Sequence, residues 1–231
     1  MTEHKLANRM LARLRKGAWA RVGKNSAALL AAQVGARGLN LVLIALATRA
    51  LGAEGLGRYL MAMTVQAIAL AVSDLGLGIY TTREFARELA REDGPAAGSL
   101  WRTVLFLRLA AALAMTLALN LLVAPFLPGR RGLLALVSLS LLPDAFIALA
   151  TAWIKACQRM EASAAIGLGV RGAYLVAGAL LLWRGYDERW LLGAYAGTSL
   201  LGALAFGWVL RRWMGEGKSF DRAREPRPYR G

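Results

Sequence analysis

In 231 residues the chain has one cysteine, Cys157, and one histidine, His4. A single cysteine excludes an internal disulfide and any cysteine-only metal site. A single histidine near the N-terminus leaves no imidazole for zinc, di-iron or Ser-His chemistry inside the molecule. There is no GxxxxGK[ST] loop, no HExxH pair and no aspartate-rich metal motif. The glycines of "LGAEGLG" (51–57) follow the order G-x-x-G-x-G, which is not the dinucleotide order, and no strand pattern precedes them. The reading is therefore of a protein that is not an enzyme and needs no cofactor or metal. Acidic residues are also scarce, with 14 Asp+Glu against 29 Lys+Arg and a net charge of +15.

Apolar residues are abundant, at 57% of the chain with a mean hydropathy of +0.44. A nucleic-acid binder could be this basic, but it would have no use for long apolar runs, so no nucleic-acid partner is expected. The charges instead mark out six runs, about 25–48, 59–82, 103–124, 132–152, 162–183 and 190–210. About 20 helical residues cross a hydrocarbon core ~30 Å thick, and all six runs reach that length. The fold class is an all-α integral membrane protein with six transmembrane helices. Twenty of the Lys and Arg fall on one side (the N-terminus, the 81–102 and 153–162 loops, the tail) and six on the other. Both termini are expected in the cytoplasm.

Residues 1–24 place Ala7, Met10, Leu11, Leu14 and Ala18 at helical spacing, with Lys5, Arg9, Arg13 and Lys16 largely off that stripe. This predicts a basic amphipathic helix on an anionic leaflet, with membrane lipid as its partner. The run is not a cleaved leader, because the apolar segment after it is of full membrane length. Residues 81–95 alternate Arg and Glu at three- and four-residue spacings, which predicts a solvated helical extension of the second span that ends at Gly94-Pro95. Residues 211–231 are polar and read as a cytoplasmic linker or disordered tail.

Five spans each contain one charge: Arg37, Asp74, Arg108, Asp144 and Arg171. A charge at mid-membrane costs on the order of 2.5–3.5 kcal/mol and needs a partner or a hydrated cavity. Matching depth on successive antiparallel helices pairs Asp74 with Arg108 and Asp144 with Arg171. Asp74 and Asp144 are thus ion-pair or coupling candidates, and Arg37 is left without a partner. Gln33 and Asn40 lie four residues before and three after Arg37, so the polar stripe Gln33–Arg37–Asn40 is expected to face a cavity. An unpaired arginine there suits a phosphate or pyrophosphate. Pro143, next to Asp144, should kink the fourth span and free the carbonyl of Leu139. The small-residue ladders Ala165-Gly169-Ala173-Ala177 and Gly193-Gly197 predict close helix packing.

The run "ATRALGAEGLGRYLMAMTVQAIALAVSDLGLG" (47–78) resembles the Wzx-like oligosaccharide and polysaccharide flippases of the MATE/MurJ superfamily. Asn25 leads the first helix; Arg49, Leu51, Gly52, Gly57 and Tyr59 fill the hairpin; Leu56 replaces the usual aromatic; Asp74, Leu75 and Gly76 close the second helix. The resemblance implies flipping of an undecaprenyl-diphosphate-linked glycan across the bacterial inner membrane by rocker-switch alternating access through a basic cavity. Carried over, Arg37, with Arg108 and Arg171, would meet the anionic headgroup, with Gln33 and Asn40 beside it. Family members carry two six-helix lobes, and this sequence matches the N-terminal one. A missing C-terminal lobe or a second copy is therefore an expected partner. Two alternatives are a six-span permease subunit of an ABC-type export complex and a non-transporting membrane fragment or scaffold.

Overall fold

The computed structural model describes the backbone of residues 3–74, 76–90, 94–126, 131–157 and 160–215, and side chains from residue 30 to 212 within those stretches except at 89–90 and 94–97. The amphipathic stripe of residues 1–24 and most of the 211–231 tail lie outside the described side chains. Among the described residues, all regular structure is helical. The elements are α1 (Glu3–Asp74), α2 (Leu77–Ala90), α3 (Gly94–Ala118), α4 (Arg131–Leu139), α5 (Leu141–Ala156), α6 (Met160–Trp183) and α7 (Glu188–Gly215).

No proline precedes Pro95, so nothing in the side chains removes a helical hydrogen bond early in the chain. Helix α1 runs without a break from Glu3 to the hairpin, and no interruption separates the 1–24 segment from the first span or marks Asn25 as a helix start. The one non-helical residue inside α1 is Gly52, at φ 66°, ψ −175°. That conformation is open to glycine at little cost. It divides α1 into two legs that share one buried cluster, containing Leu43 and Ala47 from the first leg and Tyr59 and Ala62 from the second. A straight helix would hold Leu43 and Ala62 about 28 Å apart.

Two further spans are interrupted, the second at the Asp74 and Gly76 positions expected to close its helix and the fourth beside the kink expected at Pro143. The second span stops at Asp74, Gly76 takes φ 71°, and α2 begins afresh at Leu77. The fourth span is built from α4 and α5, which meet at Ser140 (φ −74°, ψ −16°), three residues before Pro143. Asp144 N–H donates to Ser140 C=O at 2.9 Å, so the helical bonding resumes at once. The third span ends in a π turn, Leu119–Val123, where Asn120 bonds the Ser138 hydroxyl at 2.8 Å.

Five helical stretches are long and apolar enough to cross a membrane, and the first of them, Leu30–Asp74, contains both legs of α1. Their outward faces keep large apolar side chains exposed, among them Val34, Leu41, Phe106, Leu121, Leu201 and Trp208. Water would penalise such a surface, whereas lipid matches it. The chain is a multi-pass membrane protein.

Close helix approach occurs at glycines other than those of the predicted ladders. A Cβ at Gly178 would stand 2.8 Å from the Cδ1 atoms of both Leu191 and Leu43, and one at Gly202 would stand 3.0 Å from Val170. Ala165, Gly169 and Ala173 instead face outward, and Gly193 and Gly197 have open space. A second cluster packs Phe85 of α2 against Trp153 of α5, ring centroids 4.8 Å apart, and Trp101 of α3 against the same indole at 5.4 Å. These aromatic contacts hold α2 against the span bundle at the end opposite the Gly52 hairpin.

Candidate functional site

The break in the second span is organised by Asp74. Its Oδ2 accepts the Gly78 backbone N–H at 3.2 Å, capping α2, and its Oδ1 lies 2.6 Å from Arg108 Nη2. The Arg108 side chain is only 3% exposed, against 35% for Asp74. Arg108 Nε and Nη2 lack a hydrogen bond of good geometry, so the contact is held by charge more than by direction. Gly78 has to be small here, because a Cβ would meet Asp74 Oδ2 at 3.2 Å and Arg108 Nη2 at 3.5 Å. The "DLG" stretch thus makes a capped helix break pinned by a buried guanidinium.

Asp144 has a different environment, and the expected partner Arg171 is not in it. Asp144 Oδ2 accepts hydrogen bonds from Gln66 Nε2 at 2.7 Å and Tyr195 O–H at 3.1 Å. The hydroxyls of Ser140 and Ser199 are also close to the carboxyl. Arg171 is exposed on α6, and among the described residues no ion pair joins it to Asp144. The depth argument fails here because matching height does not fix rotation: Arg171 points off the face of α6 that packs on the bundle.

Beyond Tyr195 the polar groups continue. The Tyr195 ring meets Tyr174 edge-on, centroids 5.3 Å apart, and the Tyr174 hydroxyl shares a 3.0 Å hydrogen bond with Tyr59. Below Asp144 two cavities follow one another. One of about 340 Å³ is lined by Gln66, Ser73, Asp74, Arg108, Ala145 and Ala148. The next, about 620 Å³, shares Asp74, Arg108 and Ala148 and reaches Arg83, Thr151 and Lys155.

Gln33, Arg37 and Asn40 are exposed on the first leg of α1 and line neither cavity. Among the described residues the stripe therefore lies on the outside of the bundle and not on the wall of either cavity. Contacts between Gly35 and Leu168 and between Leu43 and Gly178 set α1 and α6 side by side and parallel. Arg37 and Arg171 consequently stand at one level on neighbouring helices, both exposed.

The hairpin residues divide by role. Gly52 makes the reversal, Leu51 packs on the core and Tyr59 is buried with its hydroxyl paired, whereas Arg49 and Gly57 are exposed. Arg58 is drawn to Glu188 at 3.2 Å; Glu188 opens α7 and is 5% exposed. Gln66, Tyr174, Tyr195 and Glu188 were missed by sequence reasoning. Each is a polar residue within or beside an apolar span, but Gln66 and Tyr195 reach Asp144 across 78 and 51 residues, a convergence that spacing does not reveal.

No curated protein and no solved structure matches the chain. One family model, described as polysaccharide biosynthesis protein, matches residues 22–226. That match covers α1 from residue 22 onward, the capped break at Asp74 and every later span, well beyond the 47–78 run that first carried the resemblance. The chain belongs to the polysaccharide biosynthesis protein family, that of the Wzx-like polysaccharide flippases.

Proposed function

We propose that this protein flips a lipid-linked oligosaccharide of the undecaprenyl-diphosphate type across the bacterial inner membrane, from the cytoplasmic to the outer leaflet. In this reading the chain acts as one six-helix lobe that faces a second lobe or a second copy, with both termini in the cytoplasm. Arg37 and Arg171 contact the anionic headgroup, with Gln33 and Asn40 as neutral hydrogen-bonding neighbours. Arg108 belongs to the same basic set but is committed to Asp74, so its part is to hold the lobe in shape.

The observation that carries the reading is the exposure of two arginines at one level on adjacent apolar helices. Lipid is a costly environment for them. A facing lobe would turn that surface into a hydrated, low-dielectric cavity wall, where guanidinium groups bind a diphosphate bidentately. The test is glycan display by cells whose complete protein carries Arg37→Ala. Surface glycan should fall while the protein level stays normal. Normal display would remove Arg37 from the site.

A further inference from the structure

We propose that the two cavities along α5 form one crevice that binds an anionic glycerophospholipid, with its phosphate at the outer mouth and one acyl chain lying inward. The lipid comes from the leaflet at the α2 end, the cytoplasmic one in the orientation proposed above. The inference is otherwise independent of the headgroup reading. The crevice lies between the second leg of α1, α2, α3 and α5. Among the described residues, none of its wall comes from the first leg of α1, which carries Arg37, or from α6, which carries Arg171. The volumes, about 340 and 620 Å³, fall within the roughly 300–1,000 Å³ usual for ligand sites.

The wall is graded from apolar to basic. Its inner end is made by small and aliphatic side chains, Ala67, Leu70 and Ala71 of α1 and Ala145 and Ala148 of α5. At the outer end stand Arg83 of α2 and Lys155 of α5, both exposed and neither in an ion pair among the described residues. Two helices repeat the same order on one face each: Ile79, Thr82 and Arg83 on α2, and Ala148, Thr151 and Lys155 on α5. Phe85 packed on Trp153, ring centroids 4.8 Å apart, holds these helices side by side. Ala145 and Lys155 are ten positions apart. That is about 15 Å of helix, and one leaflet's share of a ~30 Å hydrocarbon core is about the same. A chain of one leaflet therefore fits along α5 with its headgroup at the two exposed cations.

Arg108 selects the kind of lipid. It lines both cavities where they join, its side chain is 3% exposed, and its Nε and Nη2 make no hydrogen bond of good geometry. Asp74 is the one carboxylate among the lining residues, and Arg108 and the Gly78 N–H already engage it. The wall thus sets three cations, Arg83, Arg108 and Lys155, against one anion. Arg83 and Lys155 suit a phosphate at the mouth. Buried donors without an acceptor are costly, and the ester carbonyls of a glycerophospholipid, one step deeper than its phosphate, are acceptors for Arg108. A free phosphate would leave the apolar slot unfilled. A prenyl diphosphate would fill the slot but bring no ester carbonyl to the buried guanidinium.

The test is native mass spectrometry of the purified full chain in detergent, titrated with dioleoylphosphatidylglycerol or dioleoylphosphatidylcholine. Phosphatidylglycerol should be retained at the lower concentration. Arg83→Gln combined with Lys155→Gln, both at exposed positions, should weaken its retention about tenfold and remove most of the preference. Arg49→Gln, which deletes one charge at the hairpin end, should change nothing. Ala71→Phe, at an exposed position on the slot wall, should weaken both lipids alike. Ether-linked phosphatidylglycerol, which lacks the ester carbonyls, should bind the unaltered protein about fivefold more weakly than the ester form. Equal retention of the two headgroups, a preference that survives the double substitution, or equal binding of ester and ether forms overturns the proposal. So does displacement of phosphatidylglycerol by inorganic phosphate or by farnesyl diphosphate at matched concentration. None of these readouts involves glycan export, so failure here leaves the headgroup reading standing, and the reverse.

Discussion

Two half-buried aspartates, Asp74 and Asp144, each lie beside a break in an apolar span. Asp74 precedes a sharp break, with Gly76 at φ 71°, and is bound to a guanidinium and to the Gly78 N–H of the helix it caps. Asp144 follows a shallow break at Ser140 and is bound by an amide and a phenol. The difference separates structure from chemistry. The contact with Arg108 makes Asp74 part of the frame. Asp144 is held by neutral donors from α1 and α7, through hydrogen bonds without a charge partner among the described residues.

The strongest way to break this comparison is to orphan one partner of the charged pair. Arg108→Ala leaves Asp74 uncompensated in an apolar span and should destabilise the protein by about 3–5 kcal/mol, read by thermal or denaturant unfolding in detergent. Adding Asp74→Asn should recover part of that loss, and a strictly additive double variant would contradict the pairing. Next in size, Gly76→Ala and Gly52→Ala force an alanine into positive φ and should each cost roughly 1–3 kcal/mol by the same measurement. Tyr174→Phe removes the hydroxyl bonded to Tyr59 and should cost about 1 kcal/mol. Asp144→Asn should cost less than Arg108→Ala, on the order of 1 kcal/mol, because an amide oxygen still accepts from Gln66 and Tyr195. A loss for Asp144→Asn as large as that for Arg108→Ala would erase the distinction between the two sites. Smallest of all, Arg37→Ala should leave stability within about 0.5 kcal/mol, since the side chain is exposed and unpaired among the described residues.

A second contrast lies between the hairpin and the bundle interior. In "RALGAEGLGRY" the reversal was legible, because glycine between two apolar runs is where a chain can turn. The structure assigns it to Gly52 alone and gives Gly57 no steric task. Nothing in the spacing marks Arg58 as the partner of Glu188, 130 positions later. The Asp74–Arg108 pair was legible from depth because both side chains turn inward. The same argument gave Asp144 to Arg171 and failed, since Arg171 turns outward and hydrogen-bonding side chains from α1 and α7 took its place.

The sequence by itself determined the class of molecule: long apolar runs can be stable only in lipid, and in lipid the backbone must satisfy itself as helix. It also determined the family, the reversal before the second span and the presence of charges that need compensation. Tertiary structure alone decided which charges meet. Rotation of each helix about its axis depends on how glycines such as Gly178 and Gly202 let neighbours approach, and that is a property of pairs of helices. A shift of one residue in that packing would move Gln66 and Tyr195 off Asp144, with every span still apolar and still of membrane length.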